Sequence, residues 1–189
     1  MNVKAAVDGI RSQGRARVVT FLGFSGAGYE NTAQTRKTLL AELKKFDPAD
    51  TIVCAGATAE GIGMVYRLAV LMGFRTAGIV SSVAVDEGVE FSPECENVFV
   101  VDDNLWGGRR ADGRLSSTSQ AMVNASDVMI GVGGDAIAKV ELDKGREKGK
   151  IVRFHKADMN HARARVSAAK AGKPAPRDFG GAAQTLFQD

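Results

Sequence analysis

The chain predicts an α/β fold: a doubly wound, mainly parallel sheet of about six to seven strands, Rossmann-like, with helices on both faces. Three observations predict it. Strand-like and helix-like segments alternate from Val18 to His155. Each strand-like run is short and β-branched with little polar alternation, as expected for strands covered on both faces. Three of these runs pass directly into glycine-rich turns that open a helix, the arrangement by which open α/β sheets bind ligands.

Taken in order, a helix is expected over residues 1–14 and a first strand over Val18–Leu22. A helix over Thr35–Phe46 puts Leu39, Leu40, Leu43 and Phe46 on one face and ends at Asp47-Pro48 by turn chemistry. Strands follow at Thr51–Cys54, Thr76–Val80, Val98–Val101, Val128–Val132 and Ile151–Phe154. The helix over Gly61–Met72 is apolar almost all round, with Ile62, Met64, Val65, Leu68, Ala69 and Leu71, so a second cover, a subunit interface, is expected on its outer side. A homodimer or higher homo-oligomer is therefore anticipated. The long loop Asp102–Gly113 holds the single tryptophan, Trp106, and precedes a helix over Ser116–Asn124. Loops of that length usually carry function or mobility. A basic helix, His161–Lys170, begins the tail. Gly172-Lys173-Pro174-Ala175-Pro176 stops it, after which the tail is expected either to wrap a neighbour or to stay loose.

The chain has 189 residues, the size of a single domain with a core at 17–155 and a basic helix and tail at 157–189. With 44% hydrophobic and 25% charged residues it has an ordinary globular composition. A net charge of +3, spread among interspersed acids, is too small to imply a nucleic-acid binder, and contact with nucleic acid through Lys156, Arg163, Arg165, Lys170, Lys173 and Arg177 is a minor reading only. Cys54 lies in a strand and Cys95 in a polar loop, which predicts two reduced thiols and a cytoplasmic setting. Residues 1–17 lack the apolar centre of a signal peptide, and no run reaches the roughly 18 apolar residues of a membrane span. His155 and His161 are too few, and too far from other ligands, to predict a metal site; no cofactor is required, and the expected ligand is nucleotide-like.

The first glycine turn is Gly23-Phe24-Ser25-Gly26-Ala27-Gly28, after Val18–Leu22; glycine lets backbone N–H groups approach a phosphate, and Ser25 adds a hydroxyl. Its spacing is neither G-x-G-x-x-G nor a P-loop, so an ordinary strand-to-helix turn is an equal reading. The second is Gly56-Ala57-Thr58-Ala59-Glu60-Gly61-Ile62-Gly63, where Thr58 can cap or donate. Glu60 suits either a ribose hydroxyl or the dipole of the first helical turn. The third, Gly131-Val132-Gly133-Gly134-Asp135, places Asp135 at a helix N-cap. On that helix Ile137, Ala138, Glu141, Leu142 and Gly145 share one face, so the Glu141 carboxylate falls within the buried arc. Unpaired burial of a charge costs several kcal/mol, so Glu141 must find an internal partner or meet the ligand. Catalysis or ligand binding is the preferred reading of Glu141, with a buried ion pair as the alternative.

Gly56-Ala57-Thr58-Ala59-Glu60-Gly61-Ile62-Gly63-Met64 resembles the G-G-G-x-x-G-L-M-G pattern of the SLOG superfamily of Rossmann-like nucleotide-binding domains, which includes the LOG phosphoribohydrolases often mislabelled lysine decarboxylases. Val132-Gly133-Gly134-Asp135-Ala136-Ile137-Ala138-Lys139-Val140-Glu141 resembles the family's P-G-G-x-G-T-x-x-E, with Glu141 displaced by one residue. The likeness spans Val18 to Phe154. It implies that Gly133 and Gly134 face a ligand phosphate and that Glu141 corresponds to the acid assisting cleavage of an N-glycosidic bond. The family's arginine falls in register near Thr118, so Arg109, Arg110 or Arg114 would have to supply the phosphate clamp. Two functions follow: a domain that binds a nucleotide or nucleotide derivative without chemistry, preferred because that arginine is missing, and a hydrolase of nucleoside 5′-monophosphates using Glu141.

Overall fold

The computed structural model describes residues 1–188. Six strands, β1 (Arg17–Gly23), β2 (Thr51–Ala55), β3 (Arg75–Ser81), β4 (Asn97–Val101), β5 (Val128–Val132) and β6 (Ile151–His155), form one sheet. Its order is β4-β3-β2-β1-β5-β6, and every neighbouring pair is parallel. The fold is thus the expected doubly wound α/β class, at the lower of the two strand counts.

Alternation along the strands builds two cores. Val19 and Phe21 of β1, Val53 of β2 and Ile130 of β5 point to one face, against Leu39 and Leu43 of helix α2 (Thr32–Leu43) and Val65 and Leu68 of helix α3 (Met64–Leu71). Val18, Leu22, Ile52 and Met129 point to the other, against Ala6 and Ile10 of helix α1 (Val3–Arg11), Met122 of helix α5 (Ser117–Ala125) and Leu142 of helix α6 (Ala136–Glu147). β2 and β5 are buried along their whole length, which explains why their sequences carry no polar face.

Helix boundaries follow their caps. α2 starts at Thr32, three residues before the expected Thr35, because the Asn31 side chain accepts the Gln34 N–H at 2.9 Å. The expected helix 61–72 divides into a 3-10 turn at Gly61–Gly63 and α3. Its outer face is open in the single chain, with Leu71 72% exposed. A short helix, α4 (Ser82–Asp86), follows β3 and was not expected; Ser81 caps it through Val83 N–H.

The tail packs on its own domain. Helix α7 (His161–Lys170) has the expected bounds, and beyond it Phe179 stacks on His161 at 3.9 Å and Phe187 on Phe154 at 4.6 Å between ring centroids. The small residues Gly180–Ala183 let this segment approach the third glycine turn, where Ala183 N–H donates to Gly134 O at 2.9 Å. No helix among the described residues is long and apolar enough to cross a membrane.

Candidate functional site

From β1 the chain winds one way, through β2 and β3 to β4, and from β5 the other way to β6. Where the order reverses, the two following turns diverge and leave a crevice over the carboxyl ends of β1 and β5. A cavity of about 860 Å³ occupies this edge, with walls from both cores. Gly23, Ser25, Gly26, Gly56, Thr58, Glu60, Asp135 and Glu141 line it, whereas Gly28, Ala57, Gly61, Arg109, Arg110, Gly133 and Gly134 do not.

The first two turns are locked together. Ile62 N–H donates to Phe24 O at 2.7 Å, and a Cβ on Gly61 would lie 2.1 Å from that same oxygen, so Gly61 serves the close approach of one turn to the other. The buried Tyr29 hydroxyl donates to Val132 O at 2.8 Å, tying the first turn to β5. Gly26 and Gly56 differ from the rest, since a Cβ on either would meet nothing within 4 Å; both border open space. Ala57 is buried at φ 53° and donates its N–H to the Tyr66 hydroxyl at 3.0 Å. Glu60 is held at the rim by Arg163, 2.6 Å away, whose guanidinium also donates to Gly26 O at 3.1 Å. Nothing in the tail sequence marked Arg163 as the residue joining two turns.

The third turn is organised differently. Gly133 N–H donates to His155 O at 2.9 Å, and its open side is covered by the Phe24 ring and Ala157 O. Gly134 lies beneath Gly181 and Ala183. Asp135 occupies the N-cap position of α6 but makes no capping hydrogen bond; it faces the cavity, and burial raises its pKa.

Glu141 is 4% exposed and lines the cavity. The Ser119 hydroxyl donates to its Oε1 at 2.6 Å and accepts Gly108 N–H at 2.7 Å, which fixes the hydroxyl's direction. Burial pushes the carboxyl up to about 7, and the Ser119 hydrogen bond only partly offsets this. The internal partner that the sequence demanded is therefore a serine rather than a cation. Next to it, Thr118 is 4% exposed and gives its backbone N–H to Asp103 at 2.8 Å.

The arginines of the long loop point elsewhere. Arg109 donates to Gly113 O at 2.9 Å and lies 3.9 Å from Asp143. Arg110 donates to Ser117 Oγ at 2.6 Å and borders a separate hollow between Asp102 and Ala111. Arg114 pairs with Asp112 at 2.6 Å. A second buried acid went unread in the sequence: Glu42 of α2, 1% exposed, accepts from Lys45 and His155 at 2.7 Å and from Arg153 Nε at 2.9 Å. Burial raises its pKa, but these three hydrogen bonds outweigh burial and hold it below the usual value.

No protein-family model and no curated protein sequence matches the chain. Among solved structures, the structural-genomics target TM1055 superposes with a TM-score of 0.53 at 18% identity, covering 72% of each chain. The molybdenum cofactor carrier protein of Chlamydomonas reinhardtii superposes with 0.52 at 18% identity over 74% of this chain and 76% of that one. A second structure of the Moco carrier protein from Chlamydomonas reinhardtii gives 0.51 at 17% identity over 92% and 97%. At this identity the likeness is one of fold, a Rossmann-like α/β architecture shared with these proteins.

Proposed function

We propose that this chain binds a nucleotide or nucleotide-derived small molecule in the crevice over β1 and β5, with its phosphate end at the first two glycine turns. The observation that carries the reading is the cavity itself, placed where the strand order reverses and bordered by Gly26 and Gly56, the two turn glycines with open space before them. The molybdenum cofactor belongs to the Chlamydomonas carrier protein, yet it supports a small molecule as the ligand class. A thermal-shift panel of nucleoside monophosphates, dinucleotides and cyclic nucleotides tests it. A ligand at 100 times its Kd stabilises by about 2.7 kcal/mol. A panel without a single shift removes the proposal.

One observation favours hydrolysis of a nucleoside 5′-monophosphate as a second reading. A carboxyl with a pKa of about 7 is half protonated at neutral pH, as a general acid requires. Against it, every charged side chain lining the cavity is acidic, which leaves the charge developing on phosphate and ribose without a cation. Incubation of any ligand found in the panel, followed by assay for free base, separates the two. Release that is lost in Glu141→Gln with binding intact supports the enzyme; a ligand bound and never consumed supports the binding domain.

A further inference from the structure

We propose that Arg163, brought to the rim of the crevice by the tail helix α7, is the cation that grips a terminal phosphate of the ligand, with Glu60 and the Gly26 carbonyl holding its guanidinium in position. This rests on the ligand class proposed above and names both its charged end, a phosphate monoester, and the side chain that selects for it.

The lining of the cavity creates the need. Its charged side chains, Glu60, Glu90, Asp135 and Glu141, are all acidic, so a phosphate dianion meets repulsion there unless a cation reaches it from behind the rim. Among the described residues, Arg163 is the cationic side chain that hydrogen-bonds to that lining. Its Nη1 donates to Gly26 O at 3.1 Å and to Glu60 Oε2 at 2.6 Å, one residue from each of the first two glycine turns. Gly26 is also one of the two turn glycines that border open space, so the guanidinium stands beside the place assigned to the phosphate.

The way Arg163 is held leaves it usable. Both contacts employ Nη1, and neither Nε nor Nη2 has a partner among the described residues. Nε and Nη2 form the edge with which a guanidinium grips an oxyanion through two parallel N–H bonds. The Arg163 and Glu60 side chains are 54% and 60% exposed, so water screens the pair and makes it a weak fastening. α7 does not depend on it. Glu30 of the first turn accepts the His161 N–H at 2.8 Å and Asn160 Nδ2 at 3.2 Å, and the Asn160 N–H donates to Gly28 O at 3.2 Å. Gly28 completes the seat, because a Cβ there would lie 3.3 Å from Nη1. A cation oriented by both turns, dispensable to the helix that carries it and free along its bidentate edge, suits an incoming phosphate.

Calorimetric titration of the full chain with AMP, GMP, CMP and UMP, each beside its own nucleoside, tests the assignment. A monophosphate is expected to bind more tightly than its nucleoside. Arg163→Met should weaken that monophosphate about fivefold to tenfold and leave the nucleoside and Tm unchanged. Removing Arg163 also uncovers the Glu60 charge, so the comparison is repeated in Glu60→Gln, whose amide oxygen still accepts from Nη1. An Arg163 that grips phosphate is as costly to lose in that background as in the parent chain, whereas one that only neutralises Glu60 is lost there without effect. A cost that vanishes in Glu60→Gln, equal losses for nucleoside and monophosphate, or a lowered Tm with unchanged affinity overturns the assignment. So does failure of all four monophosphates, which leaves the broader ligand class standing as long as another compound of the wider panel binds. A silent panel removes both.

Discussion

A carboxyl buried to 4% exposure beside one serine hydroxyl penalises the fold whenever it is charged. Because burial raises the pKa of Glu141 from 4.5 to about 7, the folded chain keeps a proton that the unfolded chain releases between those values. Stability contributed by this group is therefore lost as pH rises through that window, by about 3 kcal/mol in total. Glu141→Gln carries no such loss. Urea midpoints of the two proteins should coincide near pH 4 and separate by pH 8, with the variant the more stable; parallel curves would mean that the carboxyl is solvated. The glycines divide just as sharply. Gly133 has φ 56° and lies where a Cβ would sit 2.7 Å from Ala157 O, so Gly133→Val should cost about 3 kcal/mol or more through strain and overlap. Gly26→Ala faces open space and should change stability by less than about 0.5 kcal/mol while weakening the ligand. Loss of binding in Gly133→Val would thus report on folding, and only the Gly26 variant tests the phosphate end.

At the scale of elements, α2 is anchored by a charge. Glu42 holds Lys45 of its own helix end and Arg153 and His155 of β6, drawing the edge strand to the helix. Its folded pKa is depressed, so its stabilisation is present above the ordinary carboxylate pKa and fades as pH falls through the lowered value. The cations are partly exposed and can return to water, which reduces the cost of Glu42→Gln from the several kcal/mol of a closed pair to about 1–2 kcal/mol, measurable by urea denaturation at pH 7 and shrinking as the pH is lowered below the ordinary carboxylate range. The same pair of elements shows what could be read beforehand. Strands β1 to β6 were placed to within a residue at each end, because short β-branched runs bounded by turns admit one reading. Glu141 was visible as a charge inside an apolar arc. Glu42 sits three residues after Leu39, in an equally apolar arc, but its meaning depends on Arg153, 111 positions away, and no local pattern carries that pairing. α4, five residues long, is too short to show a period. The first two turns were legible through their glycines, while the cover over the third comes from Gly180–Ala183, small residues without any periodic signal.

For the molecule as a whole, the question is whether the tail belongs to the site or to the scaffold. The cavity is lined by residues from Phe21 to Glu141 alone, so nothing beyond α7 touches the space where a ligand would sit. The segment after Lys170 instead adds Phe179 and Phe187 to ring stacks and seats Ala183 against Gly134. Two partly buried aromatic side chains and one hydrogen bond contribute about 3 kcal/mol, and in a chain of this size each kcal/mol moves Tm by roughly 2–4 °C. A chain ending at Lys170 keeps both cores, all six strands and the Arg163 link to Glu60 and Gly26. It should fold with its far-UV circular dichroism essentially intact, melt roughly 10 °C lower, and bind the panel ligand within a factor of about three of the full chain. Binding that disappears while the circular dichroism persists would show that Gly133 and Gly134, held in place by the tail, belong to the ligand's footprint after all. Binding that strengthens by tenfold would show that the tail competes with the ligand for the third turn. Either result would move the phosphate end from the first two turns to the third.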